Sequence, residues 1–485
     1  MMDLNGLLLF TILLPLVGAL GMALFGRYPN IREGITLTTA IILLLQVINI
    51  YDYLMAGRAP EAGPFEVLPG LAIHFAVEPL GMLFALIAST LWIINSIYSI
   101  GYMRGNDESR QTQFYICFAV SLFGVMGIAF AANLFTLFLF YEVLTLATYP
   151  LVAHKANEEA KKGARLYLML LLCTSMGLLL PAIVWTNALA GTMDFTPGGI
   201  LEGNASPLVM TVLMVLFMFG IGKAALMPIH FWLPAAMVAP TPVSALLHAV
   251  AVVKAGVFTV VKVIVYIFGI DVLAANGAGD WLLYAAGFTV LVASLVAVRQ
   301  DNLKKRLAYS TVSQLSYVIL AAAILTPISA IGAALHIAAH AVSKITLFFA
   351  AGSIYTAAHK TEISQLNGIG WKMPITMTAF AVGAISMIGL PPTAGFLGKW
   401  FMLSSAVSAD KWLAVWVIVL STLLNTAYFL PIIYRAFLLK PDVTGDHGEA
   451  PLPILIAISA TATGTVLLFL FPGVAFDLAE RMVGR

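Results

Sequence analysis

Runs of apolar residues, each long enough to cross about 30 Å of hydrocarbon, follow one another along almost the whole chain. They predict helices near 4–25, 34–56, 77–103, 112–131, 133–153, 163–190 and 207–229, and again near 242–270, 280–298, 307–325, 328–357, 374–405, 411–439 and 451–475. The polar intervals between them are short. The longest, near 57–76, 191–206 and 440–450, read as loops and leave no room for a soluble domain. The pattern predicts an all-α polytopic membrane protein with about fourteen transmembrane helices in a single membrane domain, 1–485. The least distinct divisions fall at 131–133 and at Thr326-Pro327, where hardly any polar sequence separates two runs.

Basic residues in the loops test that count, because cytoplasmic loops carry the excess of lysine and arginine. With fourteen spans, sixteen of the 25 basic residues fall on one side, among them Arg104, Arg110, Lys155, Lys304 and Lys305. Four fall on the other: Arg58, Lys411, Arg481 and Arg485. A span miscounted early in the chain would scramble this division. The split places both termini on the non-cytoplasmic side. The remaining five, Lys223, Lys254, Lys262, Lys344 and Lys399, lie within spans.

A symmetry runs through the middle of the chain. After three N-terminal helices (1–111), a five-helix set at 112–270 is followed by a second at 280–440 and a C-terminal helix at 451–485. In each set the fourth span is interrupted, by Gly220, Gly222 and Pro228 around Lys223 and by Gly389, Pro391, Pro392, Gly395 and Gly398 before Lys399. An odd number of spans per set gives the two sets opposite topology. Paired broken spans in inverted repeats point to an ion path.

Composition agrees with the membrane reading. Hydrophobic residues make up 61% and charged residues 10%, against about 25% charged in soluble domains, and the mean hydropathy is +0.97. A net charge of +2 spread over loops and spans forms no nucleic-acid patch. Cys117 and Cys173 fall inside apolar spans and read as reduced core residues, without disulfide or metal spacing. The N-terminus has no basic segment and carries Asp3, so the first run reads as a retained span.

The ionisable residues inside the spans are the candidate chemistry. A charge at the bilayer centre costs at least about 2.5–3.5 kcal/mol on insertion scales, so each needs a reason. Glu142 is the carboxylate in mid-span, and its natural partner is Lys223. Such a pair either closes two helices or tunes the lysine's proton affinity, since a nearby anion favours the charged form and burial disfavours it. Lys254 follows His248 by six residues, close enough for a water chain. His336, His340 and Lys344 recur at i, i+4 and i+8 and line one helical stripe. Such a stripe passes protons or merely faces a neighbouring helix; a metal site is disfavoured, because no adjacent glutamate or nearby cysteine completes one. Lys399 ends the second break; the alternative is an interfacial anchor beside Trp400. His230 and His359 sit at span ends, and Lys262 lies where a lysine can snorkel to the interface.

Three stretches carry a family resemblance. Lys-Ala-Ala-Leu-Met-Pro-Ile-His-Phe-Trp-Leu-Pro from Lys223, Ala-Pro-Thr-Pro-Val-Ser-Ala-Leu-Leu-His-Ala from Ala239 and Asp-Asn-Leu-Lys-Lys-Arg-Leu-Ala-Tyr-Ser-Thr-Val-Ser-Gln from Asp301 resemble the proton-conducting antiporter-like subunits. That family spans Mrp-type cation/proton antiporters, respiratory complex I and membrane-bound hydrogenases. The resemblance implies fourteen core helices in two inverted five-helix repeats, with interrupted helices 7 and 12 around a hydrophilic axis. It casts Glu142 and Lys223 as a charge-switching pair, Lys254 as relay, His336, His340 and Lys344 as the connecting stripe and Lys399 as the terminal proton-handling group. It further implies a bacterial inner-membrane complex with other membrane subunits as partners, H⁺ and Na⁺ as ions, and no cofactor or metal in this chain. Length near 485 and the lack of a long lateral helix argue against the largest antiporter-like subunits, and the resemblance leans to the D-type member of the Mrp subunits. Lysine at 399 departs from the glutamate of the complex I subunit of similar size. The rival expectations are a redox-driven complex I or hydrogenase subunit, a subunit energising uptake of another solute, and a structural scaffold.

Overall fold

The computed structural model describes residues 4–440 and 448–484. Asp3, Arg485 and most of the 440–450 interval, on which the N-terminal and loop-charge readings partly rest, lie outside them. Among the described residues, eleven helices are long and apolar enough to cross a membrane, and Pro207–Gly220 and Pro374–Ile388 are shorter apolar helices. With Leu303–Ala323, whose first turns hold Lys304, Lys305 and Arg306, these make the expected fourteen.

Helices form because hydrocarbon offers the backbone no other partner, and side-chain caps decide where each begins. Asn133 Oδ1 accepts from Thr136 N (2.8 Å), opening Leu134–Val152 at once after Gln111–Ala129. Thr326 Oγ1 accepts from Ser329 N (3.1 Å) while Ser329 Oγ accepts from Thr326 N (3.2 Å), a capping box that opens Pro327–Ala358. The two indistinct divisions of the sequence are thus true helix boundaries.

Three expectations need correction. The 57–76 interval is a β-hairpin rather than a loop: β1 (Glu61–Leu68) pairs antiparallel with β2 (Leu71–Ala76), from Glu61↔Ala76 to Leu68↔Leu71. It is tied to the membrane domain where Ala76 N donates to Phe130 O at 2.9 Å. The 451–475 run divides into Leu452–Leu470 and a separate Gly473–Met482, because Pro472 cannot continue the ladder. Cys173 is exposed on the outer surface, so only Cys117, partly buried, approaches the core reading.

Both interrupted spans are broken in space. The first stops at Gly220 and continues as short turns to the Trp232–Ala235 helical turn. The second stops at Ile388 and resumes at Gly395–Ser408. Each break contains a cis peptide, Met227-Pro228 and Pro391-Pro392. Two helices, Thr241–Phe268 and Pro327–Ala358, pack together and are enclosed almost throughout by protein. Around Pro327–Ala358 stand Pro79–Gly105, Leu303–Ala323, Pro374–Ile388, Gly395–Ser408 and Leu452–Leu470. The loops segregate to two faces. Lys155, Lys304 and Lys360 border a 290 Å³ cavity on one, and Glu61, Asp194, Asp271 and Arg481 border a 560 Å³ cavity on the other.

Candidate functional site

The first break delivers Lys223 to the interior. Gly256 of the enclosed Thr241–Phe268 helix makes this approach: a Cβ there would stand 2.4 Å from the Lys223 carbonyl carbon. Lys223 Nζ donates to Tyr141 O (2.9 Å) and Thr145 Oγ1 (2.6 Å) and lies 3.1 Å from the Tyr141 ring centroid. Its backbone N–H donates to the Tyr141 hydroxyl at 3.1 Å. Glu142 stands beside Tyr141 on the same helix and is itself buried, and neither of its carboxylate oxygens has a hydrogen-bond partner among the described residues. The expected Glu142–Lys223 ion pair is open: the ammonium and the carboxylate do not come within 4 Å of each other, and a carbonyl and a hydroxyl of the glutamate's own helix hold the ammonium instead.

Lys254 reaches across to the other half of the molecule. Its Nζ stands 2.6 Å from His340 Nδ1, a buried contact between residues 86 positions apart. His248 is not its direct partner. That histidine lies in a π turn, Leu246–Val250, with its ring 4.8 Å from Phe348 and both ring nitrogens unpaired. The wider turn changes the register that a six-residue α-helical offset implies.

From His340 a file of polar groups continues. The His340 and His336 rings are 6.4 Å apart. His336 Nε2 meets Gln314 Oε1 at 2.9 Å, and Gln314 Nε2 donates to Met387 O at 3.3 Å. Lys344 turns aside to Leu303–Ala323, where its Nζ donates to Leu307 O (3.4 Å) and closely to Ser310 Oγ. All three groups sit on Pro327–Ala358 at the expected spacing, with the two histidines facing the file and the ammonium of Lys344 bonded to the neighbouring helix.

Lys399 closes the file. Its Nζ donates to Met387 O (3.0 Å) and Ile388 O (2.9 Å) and lies 4.6 Å from the Tyr317 ring centroid. These carbonyls are the last of Pro374–Ile388 and lack intrahelical partners because the helix stops there; the negative end of the helix dipole adds to their pull. Gly389, at φ +93°, makes the stop, and a Cβ on it would meet Lys399 Cδ at 2.6 Å. Trp400 is exposed while Lys399 is buried, so the two do not act as one interfacial anchor.

Several participants were not legible as such in the sequence. Gln314, Tyr141, Thr145 and Tyr317 contact the buried ammonium or imidazole groups. Lys262 does not snorkel. It is fully buried, ion-paired with Glu78 Oε1 at 2.7 Å and donating to Ala131 O at 2.7 Å. The sequence signal for this pair is Val-Glu-Pro at 77–79, an acid immediately before a helix opened by proline. The span-end histidines stay outside the file: His230 packs against Phe231 and His359 caps Pro327–Ala358 in the left-handed region. On the basic face, burial lowers the His154 pKa to about 4, with Arg110 adding to it. Burial likewise raises the carboxyl of Glu108, 3.9 Å away, against the pull of Lys155 and Lys304.

A family described as NADH:quinone oxidoreductase/Mrp antiporter, TM matches residues 131–425. The chain is 30% identical over 483 residues to NADH-quinone oxidoreductase subunit N of Desulforudis audaxviator, covering 95% of each. It is 30% identical over 451 residues to a Na(+)/H(+) antiporter subunit of Alkalihalophilus pseudofirmus, covering 85% of this chain and 54% of that one. Its fold is similar to a chain in the structure of the Mrp complex from Dietzia sp. DQ12-45-1b, with a TM-score of 0.87 at 21% identity over 100% of this chain and 97% of the other. The matched interval contains both broken spans and every group of the buried file, and the chain belongs to the NADH:quinone oxidoreductase/Mrp antiporter transmembrane family.

Proposed function

We propose that this chain is the proton-translocating subunit of a multisubunit cation/proton antiporter. The observation that carries the reading is the Lys254–His340 contact, 2.6 Å long and buried, which joins the two halves through groups that both take up and release protons. Residues 112–270 and 280–440 act as the inverted repeats. A proton entering from the basic-loop face changes the balance between Glu142 and Lys223, which alters the proton affinity of Lys254 by electrostatics. It then passes by His340, His336 and Gln314 toward Lys399. Lys344 and His248 flank this route as side groups. Glu142, His248, His336 and His340 each keep a buried polar atom without a protein partner, and internal water serves such atoms.

The membrane is the bacterial inner membrane, with the basic-loop face cytoplasmic and both termini opposite. Sodium is the coupled ion. A lone mid-span acid supplies too few oxygens for it, so the sodium path runs largely through the other membrane subunits. The test is Lys254→Ala in the assembled complex, reconstituted in vesicles. Proton movement is expected to fall to that of empty vesicles; parental flux with the complex intact would overturn the reading.

A second reading has its own support. Two-way coverage of 95% with an NADH-quinone oxidoreductase subunit favours a redox-driven complex using the same file. Purifying the complex and identifying its other subunits separates the two: iron–sulfur subunits belong to the redox reading, and small membrane subunits alone to the antiporter.

A further inference from the structure

The proton file leaves one fully buried charge unused. Lys262 lies eight residues beyond Lys254 on the same enclosed helix, about 12 Å further along at the α-helical rise. It lies toward the face of the β-hairpin and the 191–206 loop. Its ammonium is held by Glu78 Oε1 and Ala131 O, each at 2.7 Å, with the Phe195 ring 4.3 Å away. Between the two lysines, Phe258 packs on Phe84, with ring centroids 5.0 Å apart.

The pair is asymmetric. Glu78 lines the 560 Å³ cavity, whereas Lys262 stands behind it with no exposed surface. Glu61, His74, Asp194, Tyr266, Asp271 and Arg481 complete the titratable and charged groups of that cavity. The hairpin holds the carboxylate in register, since Ala76 and Val77 donate to Phe130 O and Pro60 O just before it. An ion pair kept for packing gains little over apolar replacements and needs no cavity at one end. An acid at the cavity wall with a lysine directly behind it is instead the order of groups that passes a proton between interior and water.

We infer that Lys262 and Glu78 form the terminal proton-transfer step between the interior of the first half and the cavity opposite the basic loops, a role that rests on the proton-translocating reading above. A proton leaves the Lys262 ammonium for the Glu78 carboxylate along the 2.7 Å contact, leaving two neutral groups. Glu78 releases it to the cavity, and Lys262 is reprotonated from within; entry runs the same steps backwards.

The test uses the whole complex in vesicles, with proton flux followed across a pH series. Lys262→Arg keeps the charge and the ion pair but holds its proton at any working pH. The pair Lys262→Met with Glu78→Gln removes both charges without leaving either alone. Both are expected to assemble and to lower flux about 100-fold or more, the scale of a lost proton-transfer group. Parental flux and pH profile in either assembled variant would overturn the inference. Should the arginine disrupt assembly, the neutral pair decides: restored flux means packing, lost flux means conduction. Lys254→Ala run alongside keeps the two proposals apart. If it abolishes flux while the Lys262 variants do not, only this inference fails; if it does not, the underlying reading fails as well.

Discussion

The two broken spans present their lysines to the interior by different means. Lys223 is held by Tyr141 O and Thr145 Oγ1 of a neighbouring helix, beside the unpartnered carboxylate of Glu142. Lys399 is held by Met387 O and Ile388 O, the carbonyl end of its own broken span, and no ion pair reaches it among the described residues. Each ammonium also lies against a tyrosine ring, Tyr141 or Tyr317. The common plan is a lysine over a ring at a helix break. The difference is the acid. In the first half a buried carboxylate stands next to the residue whose carbonyl holds the lysine; in the second the ammonium faces peptide carbonyls alone. On the proposed function, the first half is the one that can be switched and the second is a fixed station.

The strongest way to break this comparison is at the switch. Glu142→Gln or Lys223→Ala is expected to bring proton flux to background while the complex still assembles, measured in vesicles after purification. Near-normal flux in both would remove the switching role. Lys399→Arg comes next: the guanidinium can bond the same carbonyls but does not release its proton. Flux is expected to fall about 100-fold, within the range for a lost acid–base group, with thermal stability of the complex near parental. Gly389→Ala should act through geometry, since a left-handed alanine costs about 1–2 kcal/mol and its methyl group collides with Lys399 Cδ. Both melting temperature and flux should drop, and an unchanged melting temperature would refute the account of that stop. The smallest effect is expected from Thr145→Val, which takes one neutral acceptor from Lys223. About 1 kcal/mol is at stake, roughly fivefold in the balance between Glu142 and the helix as partners, read as a shifted pH optimum of flux.

What could be read beforehand was whatever depends on local pattern. Apolar run lengths and loop charges located the spans, and glycine and proline clusters located both breaks, because these follow from the chemistry of a few consecutive residues. Contacts between distant positions were not legible. Spacing brings His248 to mind for Lys254, through water, but it gives no hint of His340, the side chain that Lys254 contacts directly. Glu142 was matched to Lys223 by charge, yet the carbonyl and hydroxyl of its own helix already hold the ammonium. Lys262 looked free to snorkel only because its acid, Glu78, lies far back in the chain, before the first repeat begins. Gln314 ends one of the stretches that carry the family resemblance, but nothing in the stretch assigns it a role, since a glutamine in a span is as readily a packing residue as a bridge. The β-hairpin escaped because its interval was weighed for crossing length alone.

The enclosure of Thr241–Phe268 and Pro327–Ala358 sets who can talk to the file. Both are sheathed by other helices along most of their length, whereas Glu158–Ala190, Trp412–Leu438 and Leu452–Leu470 are only about a third buried. A neighbouring protein docking from the lipid side meets this outer casing and never the conductor inside it. Its influence must arrive as a displacement of helices that it touches or as a field from charges that it brings near. On the proposed function, the casing that would keep protons from leaking sideways is therefore the same layer through which any drive has to be transmitted.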